Sequence, residues 1–449
     1  MFRATFGFCL ALIAAPVWAL GPHEVLLLIN GESADSVEVG EAYAAMRQIP
    51  VGNVVRVAVP DKAMPEDTIT TEDFERLIWA PATRHVHAQG LDGQILAWVY
   101  SVDFPVRINT QPEISVLGLT FSRNKPPKPE AVETGTYVSP LFAGPTGARG
   151  QPHLPQSFDV YAEWLGGEMP LPAMMLGYTR PPHGNSVAKV LACLRGGVGS
   201  DGTAPTGTVY FVQTGDVRSR CRAWQQGGAV DDLKALGVRA VITNAEPVGV
   251  RDVLGMQVGE QYVNPLRNAF VPGSMGEHLT SASAILHNDF QTKLTAWIEG
   301  GATASAGAIA EPYAVWAKFP SACFYFFQAS GSTMIESFYQ AVRCPLQLLL
   351  LGDPLASPWK PVGKLVMDEF GGSLTNALRP RIQSHSGFDY GTFRYYLDGK
   401  QIHEGATFTL SPVSLAAGTH RLRVVGYRSG LMRQQVFEER TFDVPFGAE

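Results

Sequence analysis

One histidine stands where it could do chemistry. His278 lies in Gly273-Ser-Met-Gly-Glu-His-Leu-Thr-Ser281, beside Glu277 and a few residues from three hydroxyls. A histidine so placed could act as general base, with Ser274, Thr280 or Ser281 as the nucleophile it activates. It could equally do no more than satisfy backbone groups of a loop. A second set of candidates appears where apolar runs break off in a polar residue: Asn30, Asp103, Asn244 with Glu246, Glu311 and Asp353. In an open α/β sheet, ligands bind outside the carboxyl ends of the strands. Acids gathered there could hold a cationic group, and Asp103, Glu311 or Asp353 could orient His278. Each could also simply cap the helix or turn that follows it.

The elements that must position these residues follow from hydrophobic patterning. His23–Asn30, Asn53–Pro60, Gly93–Tyr100, Thr208–Val212, Val238–Thr243, Gly301–Ile309 and Leu346–Leu351 read as buried strands. Ser33–Arg47, Phe74–Val86, Val187–Arg195, Val230–Leu236, Gln291–Glu299 and Thr333–Val342 have helical spacing. Alternating strands and helices predict a mostly parallel sheet with helices on both faces, spanning 20–360. Pro126-Pro-Lys-Pro129 and the Gly144–Pro155 segment mark 107–170 as a long surface excursion. Beyond a boundary near 360–367 the period changes to two. Thr392–Ile402 holds an Asp-Gly hairpin signal, and short strands without helices predict a β-sandwich of immunoglobulin or fibronectin-III type over 365–449.

Composition narrows the function class. A formal charge of −6 over 449 residues disfavours nucleic acid as the main partner. Met1–Arg3, the apolar Phe6–Ala15 and Val17-Trp-Ala19 have the layout of a signal peptide cleaved after Ala19. The expected product is a secreted or periplasmic protein, and no later run is long enough for a membrane helix. Cys193, Cys221, Cys323 and Cys344 then remain in an oxidising compartment. Proximity in sequence favours Cys193–Cys221 and Cys323–Cys344 disulfides, with buried free thiols as the alternative. None has zinc-type spacing, so no metal site is expected. Gly197–Gly202 matches G-x-G-x-x-G but follows a helix and precedes a strand, the reverse of a dinucleotide fingerprint. No Walker A, H-E-x-x-H or G-x-S-x-G motif is present, and no cofactor is implied.

The segments Asn30 with Ser33–Pro60, Ser101–Pro105, Asp216–Ser219, Pro272–Ser281, Gly301–Pro312 and Gly352–Leu355 resemble an uncharacterised family of exported bacterial proteins from exosortase-carrying genomes. The resemblance implies a setting in envelope or exopolysaccharide biology and no known activity. Phe442–Glu449 lacks a Pro-Glu-Pro motif, span or basic tail, so a sorted substrate is not expected. The layout of Gln291–Ile309, Gly352-Asp353-Pro354 and the C-terminal module is similar to gingipain-type cysteine peptidases of the caspase-like fold. That family needs a His-Gly strand end and a cysteine ending the next strand. Here the only His-Gly is His183-Gly184, and no cysteine lies between Cys221 and Cys323. The expectation is a caspase-like scaffold without that dyad. It would be a binding or assembly factor for a protein, peptide or polysaccharide ligand, with Asn30, Glu246, Glu277, Glu311 and Asp353 as binding residues. The alternative is a hydrolase built on His278, Ser274 and Asp103.

Overall fold

The computed structural model describes residues 19–361, 364–367, 374, 377–380, 382–385, 390–428 and 434–445. The expected leader, apart from Ala19, lies outside them. The first thirteen strands are β1 (Val25–Asn30), β2 (Val54–Val57), β3 (Thr68–Ile69), β4 (Ala97–Tyr100), β5 (Arg107–Ile108), β6 (Ile114–Ser115) and β7 (Ala173–Met175). Then come β8 (Thr208–Val212), β9 (Arg239–Thr243), β10 (Val253–Val258), β11 (Phe270–His278), β12 (Ala304–Ala308) and β13 (Leu348–Gly352). Ten of them form one sheet in the order β2-β1-β4-β7-β13-β12-β11-β10-β8-β9, and β3-β5-β6 form a separate ribbon. The central strands are unbroken apolar or small-residue runs because helices cover both faces.

The sheet is mostly parallel: β1 runs with β2 and β4, β4 with β7, β8 with β9 and β10, and β11 with β10 and β12. β13 is the exception. It is antiparallel to β12 along its whole length and touches β7 at the single pair Leu351–Met175, where the local pattern is parallel. Its ends fix its course. Leu346, just before β13, accepts from Ser115 Oγ beside the ribbon that follows β4. Asp353, just after it, meets Arg47 at the far end of helix Ala34–Arg47. β13 therefore runs against the strands on both sides and delivers Asp353 to the amino edge of the sheet.

Several expectations change. Phe270–His278 is a strand, so His278 ends a strand of the sheet and does not lie in a loop. Its glycines are there for packing: a Cβ on Gly276 would stand 2.2 Å from the Trp297 ring. The helix expected over Gln291–Glu299 is confined to Thr295–Glu299. Helix Val187–Ser200 includes Gly197, where a Cβ would stand 2.2 Å from Asp353 Oδ2, so that glycine permits close helix–loop approach. Segment 107–170 is no mere surface excursion, because helix Val116–Phe121 within it is buried at every residue. The four cysteines are free. Cys193 Sγ lies 3.2 Å from Thr303 O, before the start of β12, whereas Cys221 Sγ lies 3.3 Å from Arg218 O, beyond the end of β8. The length of a strand separates the first expected pair. In the second, Cys323 points instead at Gly150 O, 3.3 Å away.

The C-terminal module is antiparallel. Strands β14 (Lys364–Met367) and β15 (Ile382–His385) pair with each other. A four-stranded sheet runs β17 (Lys400–Glu404), β16 (Tyr390–Leu397), β18 (Gly418–Arg428), β19 (Gln434–Val444). The β16–β17 turn has φ of 51° at Asp398 and 91° at Gly399, as the Asp-Gly signal requires. Met367, Tyr395, Leu422, Val424 and Phe442 share its core. The module sits on the amino edge of the large sheet. There Tyr396 packs on His23 at 4.4 Å between ring centroids, Gln94 Nε2 donates to Gly399 O, and Arg423 Nη2 donates to Gln48 O.

Candidate functional site

The residues that follow β1, β4, β7 and β11 meet at the opposite, carboxyl edge. Asn30 ends β1 and is wholly structural: its amide donates to Val59 O and Asp103 O and its oxygen accepts from Val59 N, at 3.0–3.1 Å. That grip holds the turn after β4, where Asp103 has φ of 59°, a costly backbone conformation for a non-glycine residue. The Asp103 carboxylate accepts from Ser33 Oγ and Thr179 Oγ1, both at 2.7 Å. Burial pushes its pKa up, and the two hydroxyls offset part of that rise. Ser33 also caps helix Ala34–Arg47, so one serine joins helix start to site.

Beyond Asp103 the edge becomes a band of arginines and histidines rimmed by acids. Arg180 bridges Asp61 (3.1 Å) and Asp67 (3.5 Å), and Asp67 also accepts from Tyr178 OH at 2.6 Å. Glu66 and Asp67 both have positive φ, 48° and 58°. Arg107 pairs with Glu113 at 3.3 Å and donates to His287 Nδ1 at 3.4 Å, while His183 meets Asp289 at 2.9 Å. The rim acids Asp61, Glu66 and Asp289 project into solvent. Lys293 lies in the same loop and is held by Ala282 O, Asn288 Oδ1 and Phe290 O; burial lowers its pKa to about 8.

Three exposed aromatic rings complete this edge: Tyr262, Phe290 and Tyr313, on the loops after β10, β11 and β12. The first two loops are joined by Thr292 N donating to Gln261 O at 3.1 Å. Glu311 caps the third: its carboxylate accepts from Tyr313 N at 2.9 Å and so sets a turn in which Tyr313 has φ of 57°.

The other expected site residues are placed elsewhere or already occupied. His278 is fully buried; Trp297 Nε1 donates to its Nδ1 at 2.9 Å, and its Nε2 donates to Thr292 O at 3.0 Å. Burial lowers its pKa to about 3, so the ring stays neutral with both nitrogens spent. Ser274 Oγ is buried and without a hydrogen-bond partner among the described residues, and Thr280 Oγ1 donates to Gln291 Oε1 at 2.8 Å. Among the described residues no nucleophile–base pair forms around His278. Glu277 faces the other side of β11 and is bound by buried Arg222. Glu246 accepts from Asn264 N at 3.1 Å, as a loop cap. Asp353 is buried at the amino edge, bound by Arg47 and by Tyr43 OH (2.8 Å), so it cannot share a crevice with Asp103. The fully buried thiols offer no nucleophile: burial pushes Cys323 up to about 12 and Cys344 up to about 11.

Sequence reasoning passed over Arg107, Arg180 and His287 and met His183 only as part of a His-Gly pair, because Arg180, His183 and His287 meet Asp61, Asp67, Asp289 and Glu66 from more than a hundred residues away. No three of His, Cys, Asp and Glu cluster as metal ligands among the described residues. A cavity of about 480 Å³ beside the start of β4, lined by Trp79, Leu91, Trp98, Arg123 and Met169, lies away from these groups.

No family model matches the chain, and no curated protein does. Among solved structures, the endo-β-1,4-mannanase from Thermotoga petrophila aligns over 81% of this chain and 82% of its own at 8% identity, with a TM-score of 0.16. A value that low carries no argument about fold or activity.

Proposed function

We propose that this is an exported binding or assembly factor whose carboxyl edge holds a polar chain, with a polysaccharide favoured over a peptide. The observation that carries this reading is that hydrogen-bonding side chains (Asp103, which already accepts two hydroxyls, and Arg107 and Arg180, which hold carboxylates) share one edge with three exposed aromatic rings. Sugars present hydroxyls at their edges and C–H faces that rest on aromatic rings, and such amphipathic rings suit contact with a half-polar ligand. Strained backbone at Glu66, Asp67 and Asp103 is of the kind that collects at ligand sites. The sequence's likeness to exported proteins of exosortase-carrying genomes points the same way, toward envelope or exopolysaccharide processes. The 365–449 module, read as an immunoglobulin-like sandwich, then acts as a spacer or accessory. A hydrolase built on His278 is disfavoured by the occupied ring nitrogens.

The test is titration of the purified protein with a panel of acidic and neutral polysaccharides and peptides, beside Asp103→Ala and Tyr313→Ala. The expected result is saturable binding to a polysaccharide, weakened about tenfold by each variant, or ~1.4 kcal/mol. Binding to peptides alone, or polysaccharide binding that both variants leave intact, defeats the reading.

A further inference from the structure

At the amino edge, away from those residues, a buried carboxylate lacks a cation among the described residues. Glu336 is fully buried, and no Lys, Arg or His side chain pairs with it among the described residues. Its Oε2 is accounted for by the start of helix Met334–Ala341, accepting from Thr333 N (3.0 Å) and Thr333 Oγ1 (2.7 Å) in a capping box. Its Oε1 reaches outside that helix, to the first N–H of helix Phe158–Leu165 and to Leu20. It accepts two backbone N–H groups from distant segments, Phe158 N at 3.2 Å and Leu20 N at 3.1 Å. Leu20 is the residue that the Val17-Trp-Ala19 pattern marks as the first of a processed chain.

We infer that the chain has a processing site between Ala19 and Leu20, and that the α-ammonium freed there becomes the counter-ion of Glu336. Water supplies the atoms: the Ala19–Leu20 amide bond breaks, Ala19 leaves with a carboxylate, and Leu20 keeps the nitrogen as a protonated amine. An endopeptidase of the export machinery performs the cut, so this inference rests on the exported reading above. The surroundings suit the product. Leu20 is only 5% exposed, so the new charge is held where an ion pair with Glu336 is strong. Gln435 Oε1 is buried, has no hydrogen-bond partner among the described residues, and lies against Gly21, offering a second acceptor. A cavity of about 200 Å³, lined by Leu20, Thr333 and Gln435 among others, leaves room to hydrate the remaining N–H. Gln435 belongs to β19, so the same contact would tie the processed terminus to the C-terminal module.

The experiment compares chains released from a fusion with defined starts: one at Leu20, one at Ala19, and the Leu20 chain with Glu336→Gln. Thermal unfolding and acylation of the α-amine at pH 7 are read for each. The Leu20 chain should melt on the order of 3–5 °C above the Ala19 chain, as expected for completing a buried pair. Its amine should label at least about tenfold more slowly, and Glu336→Gln should erase both differences. Equal melting and equal labelling for the Leu20 and Ala19 chains overturn the ion pair. Terminal sequencing of protein recovered from the periplasm or medium should give Leu20, and any other start overturns the processing site. A chain that is not exported at all defeats the exported reading, and with it the cut, while the fusion-derived chains still decide the ion pair.

Discussion

Replacing Arg47 with Met keeps most of the aliphatic stem and removes only the charge. Arg47 binds Asp353 and also Asp201 at 2.6 Å, and Lys360 holds Asp201 at 2.7 Å. After the substitution Asp201 keeps a cation, whereas Asp353, fully buried, keeps only Tyr43 OH and Leu355 N. Leaving one member of a buried pair uncompensated costs about 3–5 kcal/mol. An unfolding entropy of ~2.1 cal/mol/K per residue over about 340 residues gives ~0.7 kcal/mol/K, so the melting temperature should fall by about 4–7 °C. Burial already raises the Asp353 pKa above 3.8, and Arg47 opposes that rise. In Arg47→Met the opposition is gone, so the folded pKa climbs further above the unfolded one. Stability is then retained below the unfolded pKa and lost as pH rises through the folded pKa. The deficit should therefore shrink between pH 7 and pH 4. The assay is differential scanning fluorimetry across that range for Arg47→Met, Asp353→Asn and the double variant. The double variant should recover most of the loss at pH 7. A fall below about 1 °C, or a deficit independent of pH and unrelieved by Asp353→Asn, would refute the claim that this pair carries an uncompensated-charge penalty.

The remaining predictions concern the thiols, His278 and Glu336. In native protein a thiol reagent should modify only half-buried Cys221 quickly, and unfolding should expose Cys193, Cys323 and Cys344, with no change in mobility on reduction. His278→Ala should leave ligand binding intact but strand the Trp297 N–H, at about 1–3 kcal/mol, read as a lower urea midpoint. In a chain still carrying Ala19, Glu336 has a pKa raised by burial from 4.5 to about 7, and its neighbours are Thr333, the Leu20 and Phe158 amides and Tyr161. Its stabilising contribution is full below pH 4.5 and lost as pH rises through about 7. Glu336→Gln should flatten that part of the stability profile, measured by melting at half-unit steps.

The helices and strands that carry unbroken apolar runs were legible because burial on both faces leaves a direct mark on composition. β1, β4, β8 and β13 are examples. The Asp398-Gly399 turn was legible because its backbone demands those residue types. β11 was not, since its Pro, Gly and Ser answer to Trp297 across the layer and imitate a loop. Asn30 and Asp103 were found together because both end parallel strands. Asp353 was grouped with them wrongly: the sequence marks where a strand ends and carries no mark of its direction. Tyr43 and Arg47, four residues apart on one helix face, were the available hint that a buried acid lay opposite.

The direction of β13 has a consequence for function. Its reversal turns Asp353 toward the amino edge, where Arg47, Asp201 and Lys360 tie helix and loop ends together. The C-terminal module then covers part of that edge through His23, Gln94 and Gln48. The charges there are spent on one another and on the module. At the carboxyl edge the acids of the rim are solvent-exposed and the aromatic rings are uncovered. Paired charge shielded by protein stabilises; paired charge at an open rim can exchange its partners for a ligand's hydroxyls at little cost, because exposed ion pairs contribute roughly 0–1 kcal/mol. On the proposed reading, the same kinds of residue serve cohesion at one edge and recognition at the other, and a ligand search should be directed at the side carrying Asp103 and Tyr313.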